Sequence, residues 1–432
     1  MDATDEDQDG HSDASRSAPG PEREAARVTE ADIVGLKYFD RLLPLLKRLE
    51  DDGCARDKAG NRELHYDQYC LLVLLYLFNP ICSSLRAVQQ ASELKNVQRR
   101  LGCGRASLGS LSEASTVFDP QRLIEIIQEL GSQVQPLTKD PRLQGIQQTL
   151  TLVDATLIAA MPRIMAASVM KQQSGSGMVK WRLHTHFEVD RHVPVRIDVT
   201  RDGGGDQDER AVLERTIDAD RCYVMDRGYA KFKLFNAIVA KGSSYVCRVR
   251  DNSVYEVLTE QPLTAADRAA RVLSDQVVLL GQNSKKNDRP NHPIRLVVVK
   301  IKPHVSKGKY KGGSSGVDSD GFLRIATNLL DVPAEIIALL YAYRWTIEIF
   351  FRQFKHLLGC RHLLSHNQNG IEIQTYCAII ACLLIALWTG RQPTKRTQEM
   401  LCYFLTGWAS AEEVAAHIAK LKASDEQAAK TN

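Results

Sequence analysis

No apolar run in this 432-residue chain reaches the roughly 20 residues a helix needs to cross a bilayer. The longest, Tyr376 to Trp388, falls well short and Tyr69 to Phe78 is shorter still, so neither a transmembrane segment nor a membrane partner is expected. The start, MDATDEDQDG, has neither the basic residues nor the apolar stretch of a signal peptide, which argues against secretion. The ten cysteines form no CxxC pair; several sit inside apolar runs, where Cys acts as a small hydrophobe, and they read as reduced thiols in a cytoplasm. There is no Gly-rich phosphate loop ending in Gly-Lys-Ser/Thr, so no ATP is required, and no GxSxG elbow of a serine hydrolase. Repeats with a period of about 20 to 50 residues are missing too. His184-x-His186 with His192, and Cys360-x-His362-x3-His366, have some character of metal ligands, but neither is a complete tetrahedral set. Histidines at the surface, or facing a polyanion, are expected there instead of zinc.

What is present is ordinary for a folded protein: 44% hydrophobic and 25% charged residues exclude a wholly disordered, collagen-like or coiled-coil chain. At about 150 residues per domain, two to four structural units, or one large domain carrying insertions, are expected. The net charge of +4 is unevenly spread. Met1 to Asp32 holds ten acids against three arginines, which leaves the remainder near +11 and suggests a polyanionic partner.

Residues 1–28 carry almost no large apolar side chain and are expected to form a disordered acidic tail. From Thr29 to about 145 the pattern is helical. Stretches at His65 to Phe78, Ser83 to Glu93, Leu94 to Leu101, Leu111 to Val117 and Pro120 to Leu130 are separated by turn residues. Short helices with glycines at 102, 104 and 109 fit helix-turn-helix geometry, with Arg86, Lys95, Arg99, Arg100 and Arg105 able to meet phosphates; a plain helical bundle fits equally well. The period then changes. Strands are predicted at Thr149 to Asp154, Trp181 to Val189, Val193 to Thr200, Cys222 to Asp226 and Ser244 to Arg250, with helices at Glu209 to Ile217 and Ala230 to Lys241, an α/β order. A strand-and-loop stretch follows, with strands near Val277 to Leu280, Ile294 to Ile301 and Phe322 to Thr327. Within it Lys285 to Lys311 carries nine Lys or Arg against one Asp, and Lys307 to Gly316 reads as a mobile loop. Pro333 opens a long helix predicted to run through Leu358, and another covers Gly370 to Leu387.

Asp154 and Asp226 close apolar strands, where ligands gather in α/β sheets and where an Asp equally serves as a helix cap. On a continuous helix Tyr341, Arg344, Glu348 and Lys355 fall within a wedge of about 60°, while Leu340, Ile347, Phe350, Phe351, Phe354 and Leu358 take another face. By periodicity alone that stripe could be a solvated face with an Arg344/Glu348 pair.

LVDAT, YVMDRGY and YAYRWTIEIFFRQFK together resemble the three acidic motifs of the DDE-type insertion-sequence transposases. The closest likeness is to the insertion-sequence-four group, whose last motif reads Tyr-x2-Arg-x3-Glu-x6-Lys; Tyr341, Arg344, Glu348 and Lys355 match all four positions. HTHFEV, Asp206 after the glycine cluster and DVPAEIIALLYAYRW are similar to the family as well, so the resemblance covers about residues 148–390. It implies an α/β fold with a ribonuclease-H-like catalytic core over 146–390, interrupted by a β-rich insertion at 251–320. The 121 residues between Asp226 and Glu348 leave room for that insertion. A helical DNA-binding domain at 29–145 and a helical segment with a polar tail at 391–432 would flank the core.

The resemblance further implies that Asp154, Asp226 and Glu348 are catalytic and hold Mg²⁺ or Mn²⁺, which all-oxygen ligands favour over zinc. Tyr341, Arg344 and Lys355 would bind DNA phosphate. The implied activity is metal-dependent cleavage at element ends and strand transfer into target DNA by cut and paste. Its partners would be DNA, as terminal inverted repeats and as target, and a second copy of the chain once DNA is bound, in a bacterial, nucleoid-associated cytoplasmic setting. One departure stands out: relatives that cut through a DNA hairpin stack a flipped base on a Trp of the insertion. Here the four Trp are 181, 345, 388 and 408, none in the insertion, so either Tyr255, Tyr310 or Phe322 replaces it or hairpin formation is handled differently. A non-catalytic DNA-binding regulator, an inactive relic on the same fold, and a ribonuclease-H-like nuclease without strand transfer remain alternatives.

Overall fold

The computed structural model describes residues 42, 44–49, 63–79, 81–136, 140–160, 179–281, 289–301, 321–359, 363–365, 367–391 and 393–431. The acidic tail 1–28, the expected helix start at Thr29, the Lys307 to Gly316 loop, and Cys360, His362 and His366 all lie outside them.

Helices come first: α1 (Tyr66–Phe78), α2 (Leu85–Ser92), α3 (Lys95–Leu101), α4 (Leu108–Val117) and α5 (Arg122–Gln133). Serine caps set two of their starts. Ser84 accepts from the Ala87 amide at 3.2 Å, and Ser107 from the Ser110 amide at 3.0 Å, so α4 begins three residues earlier than its apolar pattern suggests. Gly102 ends α3 in the left-handed region at φ 64°, which a residue with a Cβ rarely adopts.

The rest of the chain is built on one nine-stranded sheet. In chain order it runs β1 (Thr149–Ala160), β2 (Val179–Glu188), β3 (Val193–Arg201), α6 (Glu209–Arg215), β4 (Arg221–Met225), α7 (Phe232–Ala240), β5 (Ser244–Arg248), β6 (Tyr255–Glu260), α8 (Ala265–Ala269), β7 (Val272–Leu280), β8 (Ile294–Lys300) and β9 (Phe322–Thr327). Helices α9 (Ala334–Ala342), α10 (Trp345–Gly359), α11 (Gln368–Thr389), α12 (Lys395–Leu405) and α13 (Ala411–Thr431) complete it. Spatially the strands lie β3-β2-β1-β4-β5-β9-β8-β7-β6. β1, β4 and β5 are parallel, β2 and β3 fold back as a hairpin, and β9 joins β5 antiparallel, so the stretch expected to be an insertion continues the same sheet. Strand β6 and helix α8 were not anticipated.

Alternation along the strands divides the interior in two. Leu152, Cys222, Val224 and Val246 face a core shared with α9, α10, α11 and the N-terminal helices. Val153, Tyr223, Met225, Tyr245 and Cys247 face a smaller core closed by α6 and α7. Helix α11 is apolar all round because it is enclosed between β3, α1, α4, α5 and α10. Its polar first turns make it longer than the apolar run in the sequence. By length and composition it could cross a membrane, but 94% of the relevant window is buried inside the protein.

Two expectations need correction. Asp154 does not end its strand: β1 continues to Ala160, held by β2. The long helix from Pro333 is also not continuous. It breaks between Ala342 and Trp345, where the Tyr343 hydroxyl donates to Asp140 at 2.8 Å and Arg344 turns to carboxylates. The face of α10 beyond the break behaves as expected: Ile347, Phe350, Phe351 and Phe354 are buried, and the Phe350 ring lies 5.2 Å from that of Phe187 on β2.

Candidate active site

The parallel register of β1 and β4 sets Val153 beside Met225, so the next residues on the two strands are Asp154 and Asp226. The ladder stops there, which leaves both carboxylates at its end. Alternation turns Asp154 toward the face that α10 covers, opposite Thr185 of β2. Asp226 does serve as a cap: its Oδ1 accepts from the Gly228 amide at 2.7 Å and holds the 3₁₀ turn Arg227–Tyr229. Asp154 Oδ1 accepts from the Ala155 amide at 2.8 Å.

Glu348 arrives from the first turn of α10. Arg344, four residues earlier in the break, donates from Nη2 to Glu348 Oε1 at 2.7 Å and holds Nη1 3.8 Å from Asp154 Oδ2. The other members of the expected stripe differ in setting. Tyr341 lies before the break on α9 and is buried, and burial pushes its hydroxyl up to about 12. Lys355 is exposed on α10; partial burial pulls its ammonium down while the Asp154 charge pushes it back up. Tyr341, Arg344, Glu348 and Lys355 therefore come from two helices and the joint between them, and not from one stripe.

Electrostatically the centre is strained. Burial first, and then the neighbouring Asp226 charge, push Asp154 up to about 7, because a largely desolvated carboxylate beside another resists ionising. Two further groups stand close by that were not among the candidate site residues. Glu209 at the start of α6 is tied to Arg182 at 2.9 Å, is raised by burial, and its charge reaches Asp154. Tyr229 is fully buried with a hydroxyl that has no hydrogen-bond partner among the described residues, near Glu209, Asp154 and Asp226. The only sequence signal for Glu209 was its place just after the glycine cluster.

The donor chemistry fits a hard divalent cation: carboxylate oxygens with unmet negative charge, and an orphaned hydroxyl beside them. Among the described residues no three of His, Cys, Asp or Glu yet stand close enough to share one ion. The Arg344 guanidinium contacts two of the three acids instead.

Two of the histidines expected at the surface, His184 and His186, are not there, while His192 is part-buried. His184 and His186 are buried on the opposite face of β2, where they meet Thr200 at 2.9 Å and Thr216 at 3.2 Å, and burial pushes them down to about 4 and about 3. Arg295, part of the basic run, is also buried, in a bidentate pair with Asp275 at 2.6 and 2.7 Å. It donates as well to the carbonyls of Leu329, Leu330 and Val332.

The transposase DDE domain family matches residues 146–384, more than half of the chain. The chain belongs to that family. Among proteins of similar sequence, the Sinorhizobium fredii protein y4zB, a candidate transposase by name, is 28% identical over 209 residues, 48% of this chain and 52% of that one. A probable transposase of the insertion sequence element IS5377 from Geobacillus stearothermophilus is 26% identical over 223 residues, 51% of this chain and 52% of its own. The chain thus spans about half the length of the curated relatives it matches. Among solved structures, a cryo-EM structure of the piggyBac transposase synaptic complex with hairpin DNA aligns at TM-score 0.40 and 10% identity, covering 93% of this chain and 82% of that one. That likeness is too distant to argue from.

Proposed function

We propose that the protein is a DNA transposase that cuts element ends and joins them to target DNA by cut and paste. Asp154, Asp226 and Glu348 are its catalytic carboxylates on a ribonuclease-H-like core. The observation that carries this reading is the placement of Asp154 and Asp226 side by side where the β1–β4 ladder ends, with Glu348 held to Asp154 through Arg344. The strand order β3-β2-β1-β4-β5, with its hairpin, parallel centre and following helix α10, supports the core assignment. Mg²⁺ or Mn²⁺ held by the three acids would activate an attacking water or 3′-hydroxyl and stabilise the leaving oxygen. Arg344, Lys355 and Tyr341 are the groups suited to bind the phosphate beside the bond to be cut, Arg through a planar fork and Lys as a point charge.

In this reading 29–145 is the helical DNA-binding unit, 251–320 the β-rich insertion, and 391–432 the C-terminal helical segment. Arg86, Lys95, Arg99 and Arg105 are exposed on or beside α2 and α3 and could neutralise phosphates. Two copies of the chain would bridge two element ends. The test is to replace Asp154→Asn, Asp226→Asn and Glu348→Gln singly and measure cleavage of end DNA together with its binding. Cleavage should vanish while binding is largely kept, because affinity comes mostly from phosphate contacts elsewhere. Wild-type cleavage by any of the three variants rejects the assignment.

A further inference from the structure

Arg344 stands between two carboxylates of the acidic centre. Its side chain is only 15% exposed, its Nη2 sits 2.7 Å from Glu348 Oε1, and its Nη1 sits 3.8 Å from Asp154 Oδ2. Those carboxylates come from different elements, α10 and β1, and one guanidinium spans both. A guanidinium offers a single delocalised charge and five donors in a rigid plane. A divalent cation instead needs carboxylate oxygens gathered around it at about 2.0 to 2.6 Å. Both cannot sit between the same two oxygens.

We propose that Arg344 is a built-in counter-ion that occupies the space between Asp154 and Glu348 and must swing aside before a divalent cation can join them. The guanidinium has a way out. It lies 5.5 Å from the ring centre of Trp345, whose indole is 55% exposed, so the head can move along an aromatic face toward solvent without losing all its contacts. The break before α10 matters here, because it puts Arg344 outside the helical ladder of that helix. An anion at the surface, such as a DNA phosphate, would draw the guanidinium off the carboxylates. By linkage it would then tighten metal binding by the same factor that metal tightens anion binding. The site would hold metal weakly until DNA arrives.

This rests on the reading that Asp154, Asp226 and Glu348 hold the cation, and the experiment separates the two. Mn²⁺ is titrated into the purified full chain without DNA, and free Mn²⁺ is followed by electron paramagnetic resonance. Arg344→Met and Arg344→Gln should each bind Mn²⁺ about 5- to 100-fold more tightly than wild type, the usual span of a coupling between sites. Asp154→Asn should lose that binding. Equal or weaker binding in both Arg344 variants, with binding still lost in Asp154→Asn, overturns the counter-ion and leaves the carboxylate reading standing. Unchanged binding in Asp154→Asn rejects the carboxylate reading and the counter-ion with it.

Discussion

β1 and β2 are neighbouring strands, and each carries a polar cluster into the protein, on opposite faces of the sheet. On β2, His184 and His186 are neutral, nearly inaccessible, and paired with threonine hydroxyls. Thr216 Oγ1 lies within 2.9 Å of the Val212 carbonyl, to which it donates, so it accepts from His186 and fixes the proton of that ring on Nε2. On β1, Asp154 sits mostly covered beside a second acid, carries a raised pKa, and shares one guanidinium with Glu348. The sequence marked both clusters as possible ligand sets. What separates them is charge balance: the histidines have shed their charge to be buried, whereas the acids crowd together under burial and, among the described residues, two of the three share one guanidinium. The pair Asp275–Arg295 shows that burial of charge is not itself the mark of a site, since both partners there are charged, covered and completely paired.

The largest expected effect breaks the comparison at the acids. Asp154→Asn should abolish cleavage yet leave the metal-free fold at least as stable. A carboxyl whose folded pKa is raised to about 7 costs stability increasingly from about pH 4 upward. Thermal melting of the metal-free variant at pH 8 should match or exceed wild type; a clear loss would mean that Asp154 is structural. Next comes the fully paired contrast. Asp275→Ala leaves Arg295 buried without its carboxylate and should cost about 3 to 5 kcal/mol, measured by denaturant unfolding, whereas replacing both partners with apolar residues should recover most of it. If the single change costs under about 1 kcal/mol, the pair is not desolvated as the structure indicates. Lys355→Ala should slow cleavage by about 10- to 1000-fold with little change in melting, because its charge acts where negative charge develops. Cleavage at the wild-type rate would make it an ordinary solvated lysine.

Much of this was legible because local pattern and tertiary role agree. VDAT and YVMD are apolar strands ending their shared ladder in acids, and the helix carrying Glu348 has a clean apolar face at Ile347, Phe350, Phe351 and Phe354. What escaped the sequence was set by partners distant in the chain. The break at Tyr343-Arg344 has no Pro or Gly to announce it and coincides with bonds to Asp140, Glu348 and Asp154. Strand β6 is an exposed edge with a bulge near Val257, so no buried face gives it a period. Arg295 sat in a basic run, and only Asp275 on the neighbouring strand reveals it as buried. His184 and His186 alternate as a strand should, but nothing local says which face of the sheet is closed.

That last point yields the smallest and most selective prediction. Burial holds His184 near 4 and His186 near 3, below the usual value of 6.5 that each would regain on unfolding. Between those limits the unfolded chain binds more protons than the folded one, so stability rises with pH there and is fully present only above about pH 6.5. His184 adds to the cost of protonation because its buried Nδ1 has no partner to receive a new proton. Wild type should therefore lose on the order of 5 kcal/mol from this pair as pH falls from 6.5 to 4, over and above the titration of its carboxylates. His186→Gln keeps a donor for Thr216 but cannot titrate. Its stability deficit relative to wild type at pH 7.5 should narrow steadily as the pH is lowered to 4, read from denaturant midpoints at each pH. A deficit that stays constant over that range would mean that the ring is protonated or solvated in the folded state, and the contrast between a neutral cluster on β2 and an acidic one on β1 would fail.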